Sequence, residues 1–245
     1  MIFHLVPSGV MIRRFFMIIS AREIDACLSG QTGDPHSILG LHPLGSGKGM
    51  VARCLSPAAD RVELIDLRNH DPHPMERLDA NGFFELHLPL ETGPFPYRLL
   101  SHRGKEQWEW EDPYRFSPLV EKDELKGFNE GSDRRPFLKL GSHPRTIEQV
   151  EGVSFVVWAP SARSVHLVGD FNSWNPNSLP MRALGSSGCR ELFVPHARVG
   201  QKYKYGVLGA DGVLREKSDP FAFKCESPPG NASIVHPLGA REGGG

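Results

Sequence analysis

Two stretches of this chain read as copies of each other, and that duplication limits what the rest can be. RCLSPAADRVEL (53–64) sets against VWAPSARSVHLV (157–168): with Pro57 on Pro160, Val62 falls on Val165 and Leu64 on Leu167, all 103 positions apart. FELHLP (84–89) matches RELFVP (190–195) at an offset of 106, as do Tyr97 and Tyr203. Asp112-Pro113 matches Asp219-Pro220 at 107. Loop insertions produce such a slow drift. Alternation common to all β-proteins would not return Pro, Glu-Leu, Tyr and Asp-Pro in the same order. The period is that of a domain, so the 245 residues divide into two similar units.

Each unit reads as short strands. Val62 and Leu64 alternate with Arg61, Glu63 and Ile65, while Phe84, Leu86 and Leu88 alternate with Glu85, His87 and Pro89. Turn signals separate the runs: Asn81-Gly82, Thr92-Gly93-Pro94 and Arg103-Gly104. One helix stands apart, where Ser20-Ala21-Arg22-Glu23 forms a capping box, Ile24, Cys27 and Leu28 share a face, and Gly30 ends the run. The expected fold is all-β: two tandem immunoglobulin-like β-sandwiches with a short N-terminal helix. The expected divisions are a loose leader over 1–19, a first sandwich with the helix over 20–143, a second over 144–236 and a disordered Gly-rich tail over 237–245.

Many chemistries find no support. With 28 basic against 29 acidic residues, nothing marks nucleic acid or an anionic membrane as partner. Cys27, Cys54, Cys189 and Cys225 form no CxxC pair and read as free thiols in a reducing compartment, here the cytoplasm. FFMII (15–19) is too short for a signal core or a membrane span. GSGKGM (45–50) fails the phosphate-loop pattern twice, and His70-Asp71-Pro72-His73 lacks a third ligand. The expected sets of catalytic residues, metal ligands and cofactors are all empty.

VGDFNSWNP (168–176) is the informative stretch: a strand stops, and a Trp follows among turn-forming residues. Such an indole either folds back as a loop anchor or presents a flat apolar face beside hydrogen-bonding groups, the arrangement a glucose ring fits. The residues alone leave both readings open.

GDFNSW (169–174), with WAP (158–160) before it and YKYG (203–206) after it, resembles carbohydrate-binding module family 48. That resemblance implies an α-1,4-glucan partner (glycogen or a maltooligosaccharide), with Trp174 stacking on the sugar and Lys204 and Asn231 bonding to it. The second stacking Trp of glycogen-sensing members would fall near Leu214 and is absent. EIDACLSGQTGDPHSILGLHP (23–43), EDPYRF (111–116), KLGSHP (139–144), ELFVP and KSDPFAF are similar to the opening of bacterial 1,4-α-glucan branching enzymes; Asn129 departs from that family's Gly. The resemblance implies a non-catalytic, glucan-positioning N-terminal region in glycogen biosynthesis, truncated or split from its catalytic barrel. The alternative it implies is a module docking on a separately encoded glycoside hydrolase family 13 barrel.

Overall fold

The computed structural model describes residues 19–45, 47–120 and 123–238. Of the expected leader (1–19) and tail (237–245), residues 1–18 and 239–245 lie outside them. Helix α1 (Ala21–Leu28) starts as the capping box requires: the Glu23 amide donates to Ser20 Oγ at 3.3 Å, and the Ser20 amide donates to Glu23 Oε2 at 2.9 Å.

Eight strands make the first sandwich: β1 (Gly40–Pro43), β2 (Met50–Leu55), β3 (Arg61–Asp66), β4 (Pro72–Pro74), β5 (Glu76–Asp79), β6 (Phe83–Leu88), β7 (Tyr97–Arg103) and β8 (Glu106–Trp110). They pair antiparallel into two sheets, β1-β2-β6-β5 and β4-β3-β7-β8. The inner face of one sheet (Met50, Ala52, Cys54, Phe84, Leu88) packs on the inner face of the other (Val62, Leu64, Tyr97, Leu99). The 2.0-residue period of a strand puts those apolar positions on one side.

The second sandwich holds β9 (Gly141–Ile147), β10 (Val150–Trp158), β11 (Ser164–Gly169), β12 (Arg182–Ala183), β13 (Cys189–Pro195), β14 (Lys202–Leu208), β15 (Leu214–Lys217), β16 (Lys224–Cys225) and β17 (Ser233–Ile234). Its first sheet, β9-β10-β13-β12, repeats the order of β1-β2-β6-β5. Its second is β11-β14-β17-β16, with β15 also on β14. Strand β9 runs across the joint expected between 143 and 144 and pairs with β10 from Gly141 to Ile147.

The duplication is chemical as well as topological. Tyr97 Oη donates to Asp112 Oδ2 at 2.6 Å, and Tyr203 Oη donates to Asp219 Oδ2 at 2.6 Å. Both carboxylates also cap the turn they open, accepting from the Tyr114 and Phe221 amides at 2.9 and 2.8 Å. The copy extends further back than the sequence reading placed it. Pro35–Ser37 and Pro136–Leu138 are both 3₁₀ turns, each followed by a glycine at φ +97° or +100° and a histidine whose Nε2 meets the carbonyl of Leu39 or Leu140. A side chain on Gly40 would stand 2.7 Å from the Tyr114 carbonyl, and one on Gly141 3.0 Å from that of Phe221, so both copies need glycine there.

The two sandwiches share an interior. Ile19, Ile24 and Cys27 pack with Leu39 and Phe83 of the first unit and with Val165, Leu167 and Leu192 of the second. The Gly30 carbonyl accepts from Ser164 Oγ at 2.8 Å and lies 2.6 Å from His166 Nε2. Arg190 reaches the Gly33 and Ala162 carbonyls together. This junction explains why β2 is buried on both faces: Arg53, on the junction side, is paired with Glu85 at 2.7 Å. It also explains why Ile19, which the sequence assigns to the leader, is only 4% exposed. The connector, including α2 (Lys126–Asn129), lies on the outer side of the β9-β10-β13-β12 sheet through Val120, Leu125 and Phe128.

One junction residue has a cost. His36 sits edge-on to Tyr114 at 4.9 Å, and neither ring nitrogen has a partner. Burial, with Arg182 and His42 adding repulsion, pushes its pKa down to about 2. The matching place in the second copy holds Phe137. Below pH ~6.5 the unfolded chain gains a proton that the folded chain refuses, so stability falls as pH falls. His36→Phe is expected to remove that loss, with an advantage over wild type that grows by up to ~1.4 kcal/mol per pH unit below 6.5. Urea unfolding at pH 7 and pH 5 checks it; an advantage that does not change with pH would contradict a neutral buried imidazole.

Candidate functional site

The Trp174 loop follows β11. Within it Phe171, not Trp174, is the residue that turns inward: its ring lies 5.5 Å from that of Phe155 and packs against the core. Trp174 stays at the surface, 36% exposed. The backbone works to keep it there. Ser173 and Trp174 both adopt left-handed conformations, φ +53° and +58°, which side-chain-bearing residues rarely take in succession.

Two side chains hold that geometry. Asn172 Oδ1 accepts from the Gly169 amide at 2.9 Å, and its Nδ2 donates toward the Leu167 carbonyl at 3.0 Å and Ser178 Oγ at 2.9 Å. Asp170 Oδ1 accepts from the indole Nε1 at 3.0 Å, and its Oδ2 accepts from the Lys202 amide at 2.8 Å. The Trp174 amide closes the turn on the Gly169 carbonyl at 2.9 Å. A Cβ on Gly169 would stand 2.4 Å from the Lys202 carbonyl, so this tight corner excludes a side chain. The indole edge is tethered on one side, and a ring so fixed loses little freedom when something stacks on it. From the sequence Asp170 and Asn172 read only as residues that break the strand pattern; the signal of their role is that both are short hydrogen-bonding residues flanking the inserted Phe171.

The strand register brings the three candidate residues to one end of one sheet. Gly169, Tyr203 and Ser233 stand in a row across β11, β14 and β17. Trp174 closes on the first of these. Lys204 follows the second, on the face opposite the buried rings of Tyr203 and Tyr205, and its Nζ lies 3.5 Å from Glu216. Asn231 precedes the third by two positions; its carbonyl accepts from Ser218 Oγ, and its carboxamide makes no hydrogen bond among the described residues. Leu214, where a second indole is absent, is on β15 and 45% exposed.

The first copy is closed at the matching corner. Arg68 pairs with buried Asp66 at 2.6 Å and with Glu91 at 2.8 Å, and its guanidinium lies 4.1 Å over the Phe95 ring. The hydrogen bonds from Arg68 hold the Asp66 carboxyl below the usual carboxylate range. Among the described residues no cluster of three or more His, Cys, Asp or Glu could hold a metal ion, and no helix is long and apolar enough to cross a membrane.

Residues 20–114 match the family model for the alpha-1,4-glucan branching enzyme GlgB, N-terminal domain, and residues 139–222 match carbohydrate-binding module 48, the isoamylase N-terminal domain. The chain is 41% identical over 222 residues to the 1,4-alpha-glucan branching enzyme GlgB of Cereibacter sphaeroides, covering 90% of this chain and 30% of that protein. It is 42% identical over 219 residues to the GlgB of Frankia casuarinae, covering 87% and 26% respectively. The chain thus spans less than a third of the length of these relatives. Among solved structures, a pullulanase from Anoxybacillus sp. LM18-11 complexed with maltotetraose is 19% identical, with a TM-score of 0.33 over 80% of this chain and 26% of that one.

Proposed function

We propose, for a chain whose residues 20–114 belong to the branching-enzyme N-terminal domain family and whose residues 139–222 belong to carbohydrate-binding module 48, that it holds an α-1,4-glucan on the Trp174 rim of its second sandwich. The observation that carries this reading is an indole kept outward against its own backbone preference, while Phe171 does the anchoring. The sugar's C–H face stacks on Trp174, and Lys204 and Asn231 bond to its hydroxyls. The chain positions glycogen or a maltooligosaccharide in the cytoplasm, as the N-terminal region of a glycogen branching enzyme, and itself breaks no glycosidic bond. A single aromatic seat gives an affinity on the order of 1 mM, about −4 kcal/mol.

Calorimetric titration with maltoheptaose tests the reading. Saturable binding near that affinity is expected, and no heat up to tens of mM would contradict it. Lys204→Ala and Asn231→Ala are each expected to weaken binding by about two- to tenfold, the worth of one hydrogen bond. Incubating the chain with amylose should give no new α-1,6 branches.

A second reading has its own observation. Trp158, at the opposite end of the same sandwich, is 51% exposed and lines a mostly apolar groove of about 860 Å³ with Pro160, Val207 and Ala210. Such a surface favours docking on protein, as on a separately encoded catalytic barrel. Co-purification with such a barrel in the absence of glucan, lost in Trp158→Ser, is the result that reading requires.

A further inference from the structure

A cleft of about 410 Å³ opens beside the Trp174 loop, where the two halves of the chain meet. Three elements wall it. Helix α1 contributes Asp25 and Leu28, turns of the first sandwich contribute Pro57 and Asn81, and the stretch just past Trp174 contributes Asn177 and Ser178. We propose that this cleft is a second sugar subsite, continuous with the Trp174 seat, which takes further glucose units of the same α-1,4-glucan chain. The inference rests on the glucan-binding reading of Trp174.

The chemistry of the walls suits a hydroxylated ligand with apolar ring faces. Leu28 and Pro57 supply apolar surface. Asp25, Asn81 and Asn177 line the same space, and among the described residues their side chains make no hydrogen bond within the chain. A carboxylate accepts only, while a carboxamide both donates and accepts. Together they satisfy sugar hydroxyls, which do both. The volume falls in the range of small-molecule sites, ~300–1,000 Å³.

The walls are fixed relative to Trp174 before any ligand arrives. Asn175 Oδ1 accepts from the Asn177 amide at 3.0 Å, and Ser178 Oγ joins the Asn172 side chain that also holds the Trp174 turn. Helix α1 is tied to the second sandwich through the Gly30 carbonyl, which meets Ser164 and His166. The Asn81 amide is held by Asp79 at 2.7 Å. A preorganised cleft loses little entropy on binding. In this reading the first sandwich, closed at its own rim by Arg68, still takes part in binding by completing the cleft with Asn81.

Chain length is the readout. Maltotriose fills the Trp174 seat, whereas maltoheptaose also reaches the cleft. Wild type is expected to bind maltoheptaose about 5–10-fold more tightly than maltotriose, the worth of one or two added hydrogen bonds. Asp25→Ala/Asn81→Ala, and separately Asn177→Ala, should abolish that advantage and leave maltotriose binding unchanged. All three residues are exposed, and circular dichroism and melting curves verify that each variant is folded. Maltoheptaose binding in the double variant equal to wild type overturns the subsite. So does a wild type that binds both sugars equally through Trp174, which leaves the glucan reading standing. Failure of wild type to bind either sugar strikes the glucan reading itself, and the subsite with it.

Discussion

Replacing Asp219 with Ala is expected to lower the unfolding free energy by about 3–5 kcal/mol. The carboxylate is 4% exposed. Its Oδ2 accepts from Tyr203 Oη at 2.6 Å and Tyr205 Oη at 3.2 Å, and its Oδ1 accepts from the Phe221 amide at 2.8 Å. Without it, two buried hydroxyls and one amide lose their partner, each costing about 1–3 kcal/mol, less what water or relaxation recovers. Burial raises the Asp219 pKa, against the opposing pull of the Tyr203 hydrogen bond. Asp219→Asn keeps an acceptor for both tyrosines and should lose far less. Urea unfolding of wild type and both variants checks this. Asp112→Ala is the internal comparison: that carboxylate serves one tyrosine instead of two, so its loss should be the smaller. Equal losses at the two aspartates would mean that the Tyr205 bond adds nothing.

Trp174→Ala is the second large effect, and it is confined to binding. The indole is on the rim, the half-buried Phe171 packs against the core beneath, and the backbone bond to the Gly169 carbonyl survives the change. Stability should therefore move by less than about 1 kcal/mol, as for a surface position. Stacking on an aromatic ring contributes about 0.5–1.5 kcal/mol beyond the area it covers. Covering some 60 Å² of apolar surface adds about 1.5 kcal/mol more. The sum, about 2–3 kcal/mol, corresponds to a loss of roughly 30- to 150-fold, which takes a mM ligand out of measurable range. Phe171→Ala reverses the pattern, with a stability loss of about 2–3 kcal/mol, below the range for a fully buried Phe because the ring is half-buried against the core. A stability loss of that size in Trp174→Ala would instead make the indole a loop anchor.

Much of this architecture was legible because the chain says it twice. The repeated Pro57/Pro160, Tyr97/Tyr203 and Asp112/Asp219 pairs reported two sandwiches, and the structure gives their spacing a cause: each Tyr donates to the Asp that caps the next turn. Alternation placed Val62, Leu64 and Phe84 inward correctly. It could not show that β2 is covered on both faces, since Arg53 reads as an outward residue until its partner Glu85 and the overlying helix are known. The stretch around the joint was hidden for a related reason: GSHP resembles a loop, with glycine and proline, yet it opens a paired strand whose glycine is demanded by the backbone of Phe221. At the rim, sequence left Trp174 between two roles. The structure adds that Ser173 and Trp174 are left-handed and that Phe171 is the ring turned inward, conformational facts that no residue type declares.

The most direct test sets the two exposed indoles against each other. Trp158 is the more exposed, but it lies in an apolar groove at the far end of the sandwich; Trp174 is the one aligned with Lys204 and Asn231. Maltoheptaose should be titrated calorimetrically into wild type, Trp158→Ala and Trp174→Ala. The account predicts that Trp158→Ala binds as wild type does, while Trp174→Ala gives no saturable signal. Unchanged binding in Trp174→Ala, or loss in Trp158→Ala alone, would contradict it.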